Sequence, residues 1–513
     1  MADPVETEIK LAAAPSMLAR LQDHPALAGK ETKSELTTTY FDTADSQLHK
    51  AGMALRIRQS GSSREATLKL ASPTSSHVKR REWTVPVDSD IPDVGAFPAP
   101  ARALLAPVLG NLKLQPVATT RVSRTTRHLK HGQSAIEVAF DQGEIVAGNL
   151  TEPVSELELE LLSGRFPDLA ALALQLPLGP ELRWSVAAKG QRGHALAYGI
   201  APTPVHASAV TLTPEQDVAT GFRAIAWNCL EQLLDNYPLV LAAADPEAIH
   251  QSRVAIRRLR AAMILFRKIV KDEQASLLRS ELKAATSQLG AVRDLDVLLE
   301  RVATKARPED PDAVELLTHL QARRKATLNT AQKLLSSEQF QRLLLQIALW
   351  VEAGQWTERS AARGGDGPLE PFVAKVLKRR RRKLRRIGRN LDRIDDPARH
   401  RVRIEAKKLR YGVAFFASLY AGAADSEIGG FAKALAKLQD RLGELNDMAV
   451  AQTHRMALFK GLDPITAARL QAKLELLEKD TERQRDSLIR SARKALARVD
   501  DSAPWWKRGK KRT

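Results

Sequence analysis

Along the first 200 residues, hydrophobic positions alternate with charged ones. Glu6, Glu8 and Lys10 fall on one face of an extended segment and Val5, Ile9 and Leu11 on the other, because successive strand side chains point to opposite sides. Arg56 and Arg58 flank Ile57, Thr67 and Lys69 flank Leu68, and Arg80, Glu82 and Thr84 alternate with Arg81, Trp83 and Val85. Glu137, Ala139 and Asp141 share a face, and Glu156, Glu158 and Glu160 stand against Leu157 and Leu159. Each run is short and bounded by turn signals such as Ser60-Gly61 and Gln142-Gly143. If the aliphatic side packs on protein, the charged side must face water, metal or an ionic ligand, because unpaired buried charge is prohibitively costly. One such strand is a solvated edge. Five or six predict a sheet curled on itself, with a charged lumen and apolar residues turned outward.

Helical candidates interrupt this half near 16–23 and 168–176, and a Pro-studded stretch runs from Pro86 to Pro107. Ala201-Pro202-Thr203-Pro204 then breaks regular structure, which predicts a linker over 201–214. Beyond it the apolar period becomes 3.6 residues, in Ala-, Leu-, Arg- and Lys-rich sequence. That helical half is duplicated. His250-x-x-Arg253-Val254-x-x-Arg257-Arg258-Leu259-Arg260 matches His400-x-x-Arg403-Ile404-x-x-Lys407-Lys408-Leu409-Arg410, and Leu289-Gly290-x-Val292-x-Asp294 matches Leu442-Gly443-x-Leu445-x-Asp447. Two matches in the same order at nearly the same offset make chance a poor explanation. The expected fold is α+β and multidomain: a closed antiparallel β tunnel over 1–200 and an all-α duplicated bundle over 215–500. The bundle's repeats span about 215–353 and 368–498, and a basic tail occupies 501–513.

Charge separates the halves. Residues 1–210 hold 22 basic and 22 acidic residues, so the whole net charge of +19 belongs to the rest of the chain. A balanced, charge-rich half suits a ligand contacted by cations and carboxylates together, and a strongly basic half suits a polyanion. The single cysteine, Cys229, excludes an internal disulfide and a thiolate metal cluster. No apolar run reaches the roughly 20 residues of a membrane span, and the opening residues lack the basic-then-apolar order of a secretory signal. A soluble cytoplasmic protein is expected.

In each repeat the positions i, i+3, i+7 and i+10 carry His250, Arg253, Arg257 and Arg260, or His400, Arg403, Lys407 and Arg410. At 100° per residue these fall within about an 80° arc, one narrow cationic ridge per helix. A solvated face, or a ridge neutralised by Asp294 and Asp447, explains one such helix. Its repetition, together with the run Lys378 to Lys383, favours a polyanion site. The near absence of aromatics along the ridges disfavours nucleic acid without excluding it, whereas inorganic polyphosphate needs only cations. In the lumen, Glu6, Glu8, Asp141, Glu156, Glu158 and Glu160 are oxygen donors that suit Mg2+ or Mn2+. Lys10, Arg56, Arg58, Lys69, Arg124 and Lys189 supply cations for several phosphates. Cations on phosphoryl oxygens beside a carboxylate-held metal are the working parts of phosphoryl transfer.

Glu6-x-Glu8-x-Lys10, Tyr40-Phe41-Asp42-Thr43, Leu55-Arg56-Ile57-Arg58, Thr67-Leu68-Lys69, Arg81-Glu82-Trp83, Asp141 to Ile145 and Glu156 to Glu160 resemble, in order, the CYTH domain of triphosphate tunnel metalloenzymes. The duplicated His/Arg helices resemble the CHAD domain over about 215–498. The pairing is similar to CYTH-CHAD inorganic triphosphatases. It implies a tunnel of roughly eight antiparallel strands, hydrolysis of tripolyphosphate, and a helical domain associated with polyphosphate, with polyphosphate granules as a place of action. By this resemblance the metal role falls to Glu6, Glu8, Asp141, Glu156, Glu158 and Glu160. The phosphates fall to Lys10, Arg56, Arg58, Lys69, Arg124 and Lys189, with Glu82 orienting cations or a metal-bound water and Tyr40 and Phe41 packing. One departure stands out: Val186 follows Ser185 where the family commonly has lysine, and Arg127 is a candidate replacement charge. An adenylate cyclase or thiamine triphosphatase of the same tunnel family, or a polyphosphate scaffold with weak catalysis, would share most of these residues.

Overall fold

The computed structural model describes residues 5–70, 79–422, 424–478 and 482–506. The chain divides into two compact units: Met1–His206 with Leu230–Ala248 and Lys333–Gly354, and Ala207–Cys229 with Ile249–Gln332 and Gln355–Thr513.

The first unit is built on strands β1 (Val5–Ala13), β2 (Glu31–Asp42), β3 (Met53–Ser60), β4 (Ser63–Leu70), β5 (Lys79–Pro86), β6 (Gln115–His131), β7 (Ser134–Ala147), β8 (Leu150–Ser163) and β9 (Leu182–Ser185). Eight of them run antiparallel in the order β5-β4-β3-β2-β6-β7-β8-β1, and β1 returns to β5 through Val5↔Arg81 and Glu6↔Arg80. The sheet is therefore a closed barrel, as the alternation of charge required. The rest of that β1 edge takes β9, from Lys10↔Ser185 to Ala13↔Leu182.

The β6–β7 and β7–β8 loops are two residues long, Gly132-Gln133 and Gly148-Asn149. Their glycines have φ of +61° and +58°, the left-handed conformation that hairpin turns matched to strand twist demand. Gln142-Gly143, expected as a turn, lies inside β7 instead. A Cβ on Gly143 would lie 2.0 Å from the Arg121 carbonyl oxygen, so the missing side chain lets β6 approach closely rather than reversing the chain.

The outward faces carry the core. Ile9, Leu11, Ile136, Val138, Leu157 and Leu159 are fully buried, with helices Pro15–Gln22 and Phe166–Ala173 packed on the strands that bear them. Leu55, Ile57, Leu68 and Trp83 cluster with Phe97, Ala101, Leu105 and Leu109, so the Pro-studded stretch supplies a covering helix, Ala99–Leu109. At about 1.5–3 kcal/mol per buried large aliphatic side chain, this exterior can stabilise a barrel whose interior is charged.

The remainder is helical. The duplicated motifs lie on corresponding helices: Pro246–Leu265 with Asp396–Phe416, and Glu273–Ala303 with Asp425–Leu458. The basic run lies on Leu369–Gly388, where Arg380 is buried 3.2 Å from Glu405, which also receives Lys383 and Lys408. Arg381 donates to the Asp500 and Ser502 carbonyls. The tail was expected as a basic extension, yet Trp505 and Trp506 are core residues packed on Tyr420 and Phe431; its cations from Lys507 onward fall outside the described residues. Among the described residues no helix is long and apolar enough to cross a membrane.

Candidate functional site

Strand register sets the barrel interior as a series of rows. Glu8 faces Glu160, and Glu160 faces Glu137, on β1, β8 and β7. In the next row Lys10 faces Glu158. In the third, Glu156 faces Asp141 and Asp141 faces Arg124. Directly opposed residues hold their Cβ atoms about 4.5–5.5 Å apart, so side chains distant in sequence meet within each row. Glu8, Lys10, Arg124, Glu137, Glu158 and Glu160 from these rows line a cavity of about 900 Å3 together with Glu6, Tyr40, Arg56, Arg58, Lys69, Arg80, Glu82 and Lys189.

Two ion-pair groups result. In the first, Lys189 Nζ lies 2.6 Å from Asp141 Oδ2 and 2.9 Å from Glu158 Oε1, and also contacts Glu156. Arg124 grips Asp141 through Nε and Nη2, both at 2.6 Å, and reaches Glu158 at 2.5 Å. Lys10 lies 3.3 Å from Glu158. Burial opposes the Lys189 charge, but Glu158, Asp141 and Glu156 outweigh it and hold the ammonium well above its ordinary range. Burial likewise opposes ionised Glu158, which Lys189, Lys10 and Arg124 keep well below the usual carboxylate range. In the second group, Lys69 pairs with Glu6 at 2.7 Å and Glu82 at 2.8 Å, and Arg56 lies 3.6 Å from Glu82. Glu82 thus orients two cations.

Some groups are left over. Oxygens of Asp141, Glu156 and Glu158 lie within 4.8 Å of one another, a spacing that could hold a metal, but the Lys189 ammonium already lies against all three. The row Glu8, Glu160, Glu137 is different. Burial, then Glu6, Glu137 and Glu8, push the Glu160 carboxyl up to about 7. Like charges opposed across strands destabilise a sheet; Arg80 offsets Glu8 at 3.7 Å and His128 meets Glu137 at 3.1 Å, so it is Glu160 that calls for a proton or a cation. Arg58 forms no ion pair among the described residues, and Arg56, burial and Arg124 lower its pKa to about 10.

Tyr40, Arg80 and Glu137 line the cavity but escaped the sequence-based site. Tyr40, read as packing, lines the cavity and lies opposite Arg56 in register, while its neighbour Phe41 joins the outer core. The alternation of faces was the available signal. Arg80 lies 3.7 Å from Glu8 and donates to the Val186 carbonyl at 3.4 Å. Glu137 extends the acidic row. Arg127, the suggested replacement for the missing lysine, donates instead to the Gln22 and Leu27 carbonyls and Glu31 and stacks on Phe140, so it anchors the barrel's exterior. Asp42 shapes a turn, accepting the N–H groups of Thr43, Leu48 and His49.

In the second unit the two ridges converge. Arg257 Nε donates to Tyr411 Oη of the other repeat at 3.2 Å. Burial, then Arg403, Arg257, Arg253 and Arg410, lower the Lys407 ammonium to about 7. One cation cluster therefore draws on both repeats. The repeated glycines explain part of the duplication: a Cβ on Gly290 would meet Arg253 Nε at 3.3 Å, and one on Gly443 would meet Arg403 Nη2 at 3.6 Å. Asp294 acts on Arg253; the Asp447 side chain falls outside the described residues. Arg260 neighbours Arg279, His400 Nδ1 lies 2.6 Å from Asn446 Oδ1, and His250 is half-buried on its helix.

Comparison with known proteins agrees with this division. Residues 5–192 match the CYTH domain model and residues 224–456 the CHAD domain model. An inorganic triphosphatase of Haemophilus influenzae is 37% identical over 202 residues, covering 37% of this chain and 54% of that protein, so the match spans about half of the relative's length. An uncharacterized protein of Mycobacterium tuberculosis is 25% identical over 498 residues, 91% of each chain. The crystal structure of the CHAD domain from Ricinus communis covers 57% of this chain and 96% of its own, at 27% identity and a TM-score of 0.49. Residues 5–192 thus carry a CYTH domain and residues 224–456 a CHAD domain.

Proposed function

We propose that the barrel is a divalent-metal-dependent inorganic triphosphatase that hydrolyses tripolyphosphate to pyrophosphate and phosphate, and that the helical half binds polyphosphate. The observation that carries the reading is the coexistence, in one lumen, of Glu160, set in register between the carboxylates Glu8 and Glu137, and Arg58, set beside the cations Arg56 and Arg124. The donors of the row are all oxygen, which fits Mg2+ or Mn2+. Glu6, Glu8 and Glu160, with Glu137 beside them, would hold the ion; Asp141, Glu156 and Glu158 are already neutralised by Lys189, Lys10 and Arg124. When bound, the metal supplies Lewis-acid polarisation and lowers the pKa of water.

The chain's own residues do the rest. Arg58, flanked by Arg56 and Arg124, would take phosphoryl oxygens, and Lys10 would add a charge from the opposite wall. Glu82 meets Lys69 and Arg56 through separate oxygens, so both keep donors for substrate. Water adds to the terminal phosphorus, the bridging P–O bond breaks, and pyrophosphate leaves against Arg56 and Arg58. Arg80, at the Val186 carbonyl, offsets the charge missing from position 186. Action in the cytoplasm, at polyphosphate granules, belongs to the same proposal. The cation cluster around Lys407 supports the polyanion half of the reading.

The test is phosphate release from tripolyphosphate, ATP and thiamine triphosphate by the purified full-length chain, with and without Mg2+ or Mn2+. Metal-dependent release favouring tripolyphosphate is expected. Cyclic product from ATP would support a cyclase, and no turnover at all a scaffold.

A further inference from the structure

Strand β9 hydrogen-bonds to β1 along one edge, and its other edge is capped by side chains from helices far along the chain. The Trp184 N–H donates to Gln341 Oε1 at 3.3 Å, and the Trp184 carbonyl accepts from Tyr237 Oη at 2.6 Å. Gln341 Nε2 donates to the Leu335 carbonyl at 2.8 Å, which fixes the amide orientation. Gln341, Tyr237 and Trp184 are all essentially inaccessible, and all belong to the barrel's unit. An exposed strand edge normally pairs, is charged or is covered. Here a hydroxyl and an amide supply the two bonds a neighbouring strand would make.

The segment after Trp184 enters the lumen. Ser185 is in register with Lys10, the Val186 carbonyl meets Arg80, and Lys189 inserts between Asp141, Glu156 and Glu158. We propose that Tyr237 and Gln341 are positioning residues of the tunnel, pinning Trp184 so that the short segment from Ser185 to Lys189 delivers its ammonium to the carboxylate trio. This rests on the triphosphatase reading for its consequence: with Lys189 displaced, the trio would draw Lys10 and Arg124 away from substrate. The edge bonds of two helices from the C-terminal half are then part of the barrel's working geometry.

Two full-length variants test it, Tyr237→Phe, which removes one hydroxyl, and Gln341→Met, which removes the amide at similar volume. Acetic anhydride labelling of Lys189, normalised to exposed Lys50 and read by mass spectrometry, reports the ammonium's protection without reference to activity. Labelling is expected to rise about fivefold in each variant, the ratio that loss of one hydrogen bond of ordinary net strength gives. Metal-dependent kcat/KM for tripolyphosphate, per folded protein, should fall by about the same factor. Arg342→Leu is the control. Its guanidinium clamps the Leu174 carbonyl from the Gln341 helix without touching β9, so it should lower Tm and leave Lys189 protected. Unchanged Lys189 labelling in both variants, or an equal rise in Arg342→Leu, overturns the proposal. Raised labelling in a protein whose wild type shows no metal-dependent hydrolysis would uphold the positioning and sink the triphosphatase reading.

Discussion

Glu160 offers the sharpest test of the metal assignment. It lies in register between Glu8 and Glu137, and burial followed by Glu6, Glu137 and Glu8 raises its pKa from an ordinary 4.5 to about 7. At pH 6 such a group is about 9% ionised and at pH 8 about 91%, so an ion that needs the carboxylate should bind about tenfold more tightly at pH 8. Stability runs the other way. A carboxyl whose folded pKa is raised destabilises the fold when ionised: the penalty is absent below about pH 4.5, accumulates up to about pH 7, and is complete above it. Calorimetric titration of Mn2+ into the metal-free protein at pH 6, 7 and 8 reads the first effect, and thermal unfolding of the same samples reads the second. Glu160→Gln should flatten the pH dependence, weaken binding at pH 8, and raise the metal-free Tm at pH 8 but not at pH 4.5. Parallel affinity profiles in wild type and variant, or a lower Tm for the variant at pH 8, would refute the assignment of the ion to this row.

Other outcomes follow from the same geometry. Lys189→Met leaves three buried carboxylates short of a partner and should cost about 3–5 kcal/mol, lowering the barrel's Tm by about 10 °C at pH 7. Asp141 and Glu158 have depressed pKa values, so their stabilisation is lost as pH falls, and scanning calorimetry should find the variant's deficit shrinking below about pH 4. Arg58→Ala should raise the tripolyphosphate Kd by about 10- to 100-fold in calorimetry, the worth of a charge-assisted bond. Its Tm should hold or rise, because the guanidinium has like-charged neighbours. In the helical half, polyphosphate affinity should climb as pH falls from 8 to 6 and Lys407 gains its proton. Lys407→Met should erase that climb, and Arg257→Glu with Lys407→Glu should lower the salt slope of log K by about two or more; a slope equal to wild type would remove the cluster from the site.

How far residues alone could reach differs between the two halves. Alternation at Glu6 to Lys10, Arg56 to Arg58 and Glu156 to Glu160 was enough to infer a closed barrel with a charged interior, because strand geometry admits only two faces and the aliphatic one must be covered. The same rule placed most cavity-lining cations. The same alternation puts Tyr40 on the cavity wall, although an aromatic there reads as packing, and at Gly143 a turn dipeptide serves close strand approach. In the helical half, periodicity gave two separate ridges, while Arg257 and Tyr411 join them into one cluster.

By itself, then, the sequence determined which side chains face one another's company: charge inward, aliphatic outward, and two matching cationic helix faces. Partnership was decided only by the tertiary structure. Register put Glu8, Glu160 and Glu137 in one row and gave Asp141, Glu156 and Glu158 to Lys189, and the capping of β9 by Tyr237 and Gln341 joined residues 53 and 157 positions apart. The physical reason is that face is a local property of a strand or helix, whereas which charge neutralises which depends on strand order and register, and these are set by the whole barrel's closure.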